Sequence, residues 1–127
     1  MSAPLPENLL YTEGHSWLSQ GEDGLLTIGI TEYGQSLLGD LVFVQLPEVG
    51  ARCAEGDTLA TVESVKSAWD VLAPLEVVVT EVNDTLSDAP EQINEAPYTA
   101  GWIVRCSPSA ELPSLMDAAA YKDFIGE

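Results

Sequence analysis

Thr58-Leu59-Ala60-Thr61-Val62, Glu63-Ser64-Val65-Lys66-Ser67-Ala68 and Trp69-Asp70-Val71-Leu72-Ala73 follow one another without a break, and how this run is read decides the fold. Both flanks are rich in apolar and β-branched residues and read as strand. As a single strand, 58–73 would far exceed the usual five or six residues. The chain is therefore expected to fold back near Lys66 as a hairpin, with Ser64-Val65-Lys66-Ser67 as its turn. Two-residue turns that match strand twist need φ > 0 and favour Asn-Gly or Gly-first pairs. A β-branched Val resists φ > 0, so turn stability alone would not select Val65-Lys66. Lys66 is one of two lysines in the chain, the other being Lys122 near the C-terminus. A lysine so placed is either an ordinary solvated charge or a displayed amine with a special role.

Working outward, 127 residues fit one domain, 1–127, long enough for a real core. A hydrophobic content of 46% suits a globular chain. No apolar run approaches the length of a membrane span. The N-terminal stretch, residues 1–7, has neither a basic n-region nor a long apolar h-region, so a cytoplasmic protein is the expectation. Twenty-one acids against four bases give a formal charge of −17. Nucleic-acid binding, which needs a basic surface to release counterions, is excluded, and anionic membranes are disfavoured. The acids are spread along the chain. They read either as a self-repelling soluble surface or as a field steering the protein to partners with basic docking surfaces.

Upstream of the hairpin, 9–18 reads as an extended segment carrying Tyr11, His15 and Trp17, and 25–30 as a strand. Thr31 has the chemistry of a helix N-cap. A short helix is expected through Leu38 with Tyr33, Leu37 and Leu38 on its apolar face, and Gly39 as its stop. In 40–46, Leu41-Val42-Phe43-Val44 is almost wholly apolar and is read as a strand buried on both faces. Downstream, 77–82 and 102–106 read as strands, and 83–94 as loop with one helical turn. From about 111 onward the spacing of Leu112, Leu115, Met116, Ala119, Ala120, Phe124 and Ile125 predicts amphipathic helix, in two pieces. The sum is a mainly β fold: a small two-sheet sandwich or flattened barrel with a short inserted helix and a C-terminal helix.

The motifs of a self-sufficient enzyme are missing. There is no GxGxxG, no P-loop and no nucleophile elbow. His15 is the only histidine, and Cys53 and Cys106 lack CxxC spacing, so no metal site is expected and both cysteines read as buried thiols. Beside Trp17, His15 reads as a packed, hydrogen-bonded residue. What remains is a lysine displayed on a small β domain.

Several stretches, in order, resemble the H protein of the glycine cleavage system. They include Tyr11-Thr12-Glu13 with His15 and Trp17, Ile28-Gly29-Ile30-Thr31-Glu32-Tyr33, and the run from Leu38-Gly39-Asp40 to Glu48-Val49-Gly50. Val62-Glu63-Ser64-Val65-Lys66-Ser67, Ala73-Pro74, Glu81-Val82-Asn83, Ile93-Asn94, Pro97-Tyr98 and Gly101-Trp102 complete the set. A lone Glu-Ser-Val-Lys would be weak; the ordered whole is specific.

The resemblance implies a lipoyl/biotinyl-carrier fold, a barrel-sandwich hybrid, with lipoic acid in amide linkage on Lys66 at a hairpin tip. It implies a carrier, not an enzyme. Glycine would be decarboxylated by a glycine decarboxylase (P protein), and the aminomethyl group would ride the lipoyl arm to an aminomethyltransferase (T protein). Dihydrolipoamide dehydrogenase (L protein) would reoxidise the arm, and a lipoylating enzyme would attach it. A monomer is expected, because the arm must reach several enzymes. Recognition and arm contacts fall to Glu63, Ser64, Val65, Ser67 and Asp70, with His15 and Ser16 from the N-terminal motif. Three positions depart from the family pattern. Ser16 stands where relatives have a glutamate that helps hold the charged end of the loaded arm. Glu76-Val77 replaces Ser-Gly, so a rebuilt turn is expected there. Trp69 replaces a small polar residue, either packing under the tip or lining a groove for the arm. Two other readings share the same residues: a lipoyl or biotinyl domain of a larger enzyme, and a paralogue acting as lipoyl donor or as an unmodified regulatory protein.

Overall fold

The computed structural model describes residue 6 and residues 8–21, 23–112 and 114–126. Most of the N-terminal stretch read for a leader, and Glu22 and Pro113, lie outside them. Among the described residues, nine strands form two open antiparallel sheets, a sandwich with no closed barrel. The larger sheet orders β1 (Leu10–Tyr11), β2 (Ser16–Gln20), β3 (Leu26–Ile30), β9 (Val104–Pro108), β8 (Val77–Val82) and β5 (Arg52–Cys53). The smaller sheet orders β4 (Leu41–Gln45), β6 (Thr58–Ser64) and β7 (Ala68–Leu72). The hairpin β6–β7 therefore reverses where the sequence requires, with Glu63 paired to Ala68 at its outer end.

Alternation sets the faces. Val44, Val62 and Val71 from the smaller sheet and Ile28, Val77, Val79 and Val104 from the larger meet in one buried core. Cutting a fully buried member such as Ile28 to Ala costs about 2–5 kcal/mol. The opposite side of β2 is also covered: Trp17 joins Leu9, Tyr11 and Tyr121 in a second cluster, under the C-terminal helix α4 (Ala118–Ile125).

The helix α1 (Glu32–Leu38) starts and stops as its sequence dictates: the Thr31 hydroxyl accepts from the Gly34 N–H at 3.0 Å, and Gly39 follows at φ +82°. Its buried face, however, is Gly34, Gln35 and Leu38, with Leu37 exposed. A Cβ on Gly34 would sit 3.0 Å from the His15 Cβ, and this close approach turns the helix away from the face that periodicity indicates.

Two further readings are corrected. β4 is not buried on both faces; Val42 and Phe43 are exposed, because β4 is the edge of a sheet with one face outward and carries a bulge between Leu41 and Phe43. The C-terminal helix begins at Ala118, not near 111: Met116 exchanges backbone hydrogen bonds with Tyr11, which holds the chain extended until Asp117 caps α4 through the Ala120 N–H. Residues 83–95 hold two single-turn helices rather than one, α2 (Thr85–Asp88) and α3 (Gln92–Glu95). Val77 has no positive φ; it is fully buried in β8, so the turn before it is indeed built without the geometry a glycine would allow.

Candidate functional site

At the tip of the β6–β7 hairpin, neither Val65 nor Lys66 has a positive φ. Ser64 makes that possible. Its hydroxyl donates to the Ser67 carbonyl at 3.1 Å and accepts from the Lys66 and Ser67 N–H groups at 3.2 and 3.1 Å. Its own N–H donates to the Ser67 carbonyl at 2.7 Å. The serine side chain thus satisfies the backbone groups that a glycine turn would have paired through its geometry. Ser64 is buried, whereas Val65, Lys66 and Ser67 are exposed, Val65 at 75%.

A second segment backs the tip. The Val65 N–H donates to the Asp40 carbonyl at 3.2 Å, and Leu41 pairs with Ser64. A Cβ on Gly39 would lie 3.4 Å from Lys66 Cε and 3.7 Å from Nζ, so the lysine stem rests over bare backbone. Asn94 secures that segment. Its Oδ1 accepts from the Leu41 N–H at 3.0 Å, and its Nδ2 donates to the Gly39 carbonyl at 2.9 Å and to Gln35 Oε1 at 2.8 Å. Among the described residues the ion pairs join Arg52 to Glu76 and Arg105 to Glu81, leaving Lys66 in none.

On the outer face of the smaller sheet, Phe43, Glu63 and Ala68 stand side by side across three strands, all exposed and next to the tip. Along the free edge of β7 lies an open groove of about 620 Å³, lined among others by Thr12, Glu13, Ser16, Glu55, Trp69 and Asp70. The β1–β2 connection forms one wall and β7 the other. Asp70 accepts from the Thr61 hydroxyl at 3.0 Å. Ser16 is 5% exposed, and its N–H donates to the Thr12 hydroxyl at 3.1 Å.

His15 stands behind this wall at φ +65°, the one non-glycine residue with positive φ among those described. Its Nδ1 is 2.9 Å from the Tyr121 hydroxyl, which is 2.8 Å from the Thr31 hydroxyl. Tyr33, Trp69, Tyr121 and Phe124 surround the ring, with centroids 5.0 to 6.1 Å away. Burial lowers the His15 pKa from its ordinary 6.5, favouring the neutral ring. With Nδ1 unprotonated, the Tyr121 hydroxyl donates to it and accepts from Thr31.

The structure thus brings Ser16, Asp70 and Trp69 onto one groove, and sets Ser64, Val65, Lys66 and Ser67 at the tip beside it. Glu63 lies on the outer face, and His15 is a packing and hydrogen-bonding residue behind Trp69. Trp69 lines the groove and stands 5.7 Å from the His15 ring, nearly perpendicular to it, so it packs on His15. Gly39, Asp40, Asn94 and Glu13 were not read as site residues. Gly39 looks like any helix stop, and nothing local to Asn94 signals a partner more than fifty residues away. Cys53 and Cys106 are buried free thiols away from this site; burial pushes Cys106 up to about 11, so neither offers a ready thiolate at neutral pH. Among the described residues no cluster of His, Cys, Asp or Glu is placed to hold a metal ion, and no helix is long and apolar enough to cross a membrane.

Comparison with known proteins agrees over nearly the whole chain. The family model described as "Glycine cleavage H-protein" matches residues 9–127. The glycine cleavage system H protein of Escherichia coli O7:K1 (strain IAI39 / ExPEC) is 52% identical over 123 residues, covering 95% of each chain. That of Salmonella typhimurium (strain LT2) is also 52% identical over 123 residues, with the same coverage. The crystal structure of a glycine cleavage system H protein from Mycobacterium marinum superposes with a TM-score of 0.89, at 38% identity, covering 97% of this chain and 100% of that one. The hairpin with its displayed lysine, the two-sheet sandwich around it and these matches together place the chain in the glycine cleavage H-protein family.

Proposed function

We propose that this chain is a lipoyl carrier of glycine cleavage. It moves the aminomethyl group of glycine from the P protein to the T protein on an arm attached to Lys66, and is not itself an enzyme. The observation that carries the reading is the presentation of Lys66. It is exposed at a hairpin tip, its stem lies over Gly39, and no ion pair among the described residues engages its amine. An amine so placed fits acylation by a carboxylic acid, which removes its charge without orphaning an acidic partner. When bound, the lipoyl group supplies a dithiolane that is reduced and reoxidised as it carries the one-carbon unit.

The chain's own residues do the rest. Ser64 and Asp40 fix the tip, so that the arm swings from a defined point and its far end is concentrated near whichever partner docks. The groove beside β7 offers the arm a resting place. Glu13, Glu55 and Asp70 line it, and their carboxylates favour a cationic end group even though Ser16 brings none. The exposed row Phe43, Glu63 and Ala68, apolar at its ends and acidic in the middle, supports docking of the P, T and L proteins and the lipoylating enzyme through surfaces with basic groups. The absence of a carboxylate at Ser16 is the one observation that favours a second reading, a donor or unmodified regulatory paralogue.

Intact mass of protein from lipoate-fed cells that express a lipoylating enzyme tests the attachment, with Lys66→Ala as control. One lipoyl increment, lost in the control, is expected; no increment under conditions that modify a known H protein would overturn it. Glycine–bicarbonate exchange with P protein then separates the readings, because a fully lipoylated paralogue outside glycine cleavage would support no exchange.

A further inference from the structure

The strap Gly39-Asp40-Leu41 touches the hairpin tip at each of its residues. Gly39 backs the lysine stem, the Asp40 carbonyl accepts from Val65 N–H, and Leu41 pairs with Ser64. At its two ends the Gly39 N–H donates to the Gln35 carbonyl at 3.0 Å and the Leu41 side chain is buried in the core, but the Gly39 carbonyl and the Leu41 N–H find no partner within the strap itself. Gly39 sits at φ +82°, ψ −159°, a conformation that only glycine adopts readily, and with no side chain to anchor it. The anchor comes from outside. One side-chain amide, that of Asn94 on α3, takes the Gly39 carbonyl and the Leu41 N–H together, bracketing Asp40 as a neighbouring strand would. Its second N–H reaches Gln35 Oε1, whose amide donates to Glu32 Oε1 at 2.9 Å, so the anchor is tied into α1.

From this geometry we infer that Asn94 is a positioning residue for the acylation of Lys66, acting through the strap. The inference rests on the reading of Lys66 as the attachment site. In the acylation, the neutral Nζ attacks the carbonyl carbon of an acyl adenylate. The C–N bond forms, the C–O bond to AMP breaks, AMP leaves with the electron pair, and a proton passes to solvent. Asn94 touches none of these atoms. It selects the tip conformation that the acylating enzyme meets. If only a fraction of molecules present that conformation, apparent affinity falls by the same fraction while the chemistry within the complex is unchanged.

The test compares wild type, Asn94→Ala and Asn94→Asp as full chains, well below their melting temperatures. The acylating system is a lipoate ligase with free lipoate and ATP. Asn94→Asp keeps an acceptor for the Leu41 N–H but loses both donors, and it serves as the working variant should the alanine protein not fold. The expected result is a KM for the protein substrate raised about tenfold, the shift that one or two lost hydrogen bonds produce, with kcat held. Independently of acylation, amide exchange at Val65 is expected to accelerate by a similar factor, while Val62, in the interior of β6, stays protected. A purely structural role would lower the melting temperature and leave KM and the Val65-to-Val62 ratio as in wild type, and that outcome would overturn the inference. A kcat loss at unchanged KM would overturn it too. Failure of wild type to be acylated at all would instead remove the reading of Lys66, and the positioning role with it, whatever the exchange data show.

Discussion

Two tight reversals, one at His15 and one at Lys66, solve the same problem in opposite ways. The turn at His15 accepts a left-handed non-glycine residue, a conformation that costs about 1–2 kcal/mol. It is braced from every side: the His15 carbonyl accepts from Thr31 at 3.0 Å, its Nδ1 meets Tyr121, and four aromatic rings enclose it. The turn at Lys66 has solvent around it and no such brace, and there no residue has positive φ. One hydroxyl, that of Ser64, does the local work, and from outside the tip is tied only to the strap, through the Asp40 carbonyl and the pairing of Leu41 with Ser64. Backbone strain sits where packing over-determines the conformation, and the exposed tip is built to be satisfied without it.

The comparison can be broken, or sharpened, at several points. The largest effect is expected at the tip itself: Lys66→Arg keeps the charge but removes the acylatable amine, so the lipoyl mass increment should vanish entirely while the melting temperature stays within experimental scatter of wild type. At the braced turn, Tyr121→Phe deletes the hydroxyl shared by His15 and Thr31. Leaving those buried groups short of a partner should cost about 2 kcal/mol in urea denaturation, with m unchanged. Ser64→Ala removes the tip's hydroxyl where water can partly replace it, so about 1 kcal/mol is expected, with faster amide exchange confined to Lys66 and Ser67.

Glycine substitutions should change sign between the two turns. His15→Gly should be more stable than His15→Ala by about 1 kcal/mol, since both lose the ring and only alanine keeps the strain. Val65→Gly should be less stable than Val65→Ala by some tenths of a kcal/mol, because nothing there needs positive φ and glycine loses more entropy on folding. The same sign at both sites would mean that strain does not distinguish them.

The smallest effect is in pH. Burial holds the His15 pKa below its ordinary 6.5, so the fold binds that proton less readily than the unfolded chain does. The His15 contribution is therefore complete above about pH 6.5 and is lost as the pH falls through the folded value. Relief of acidic self-repulsion acts in the opposite direction, so the difference between wild type and His15→Gln is what should be followed. The wild-type advantage in melting temperature should shrink between pH 7.5 and 5.5. A constant advantage would show that the ring titrates normally.

Much of this was legible in the chain because it depended on local chemistry. An alternating apolar run too long for one strand has to reverse, and Thr31 and Gly39 carry the ends of α1 in their own side chains or in the lack of one. The scarcity of lysine singled out Lys66. Where reading failed, a partner distant in sequence had intervened. Val42 and Phe43 look like core by composition and are exposed, because their strand is an edge strand facing outward on one side. Residues 111–117 have helical spacing, yet the Tyr11 backbone draws Met116 into an extended bridge. The turn chemistry at Val65-Lys66 looked wrong because the rule for glycine turns does not count the hydroxyl of the serine immediately before the pair.

The sequence by itself determined the hairpin, the lysine at its tip, a mainly β fold, the acidic surface and the family, since each depends on residue type, spacing or order along the chain. Only the tertiary structure decided that Asn94 secures the strap under Lys66, that Glu13, Glu55, Ser16 and Asp70 share one groove, and that Tyr121 ties α4 to His15. Those contacts join side chains tens of residues apart. They form because sheet register and helix docking bring the groups together, and each local segment would be as stable a choice without them.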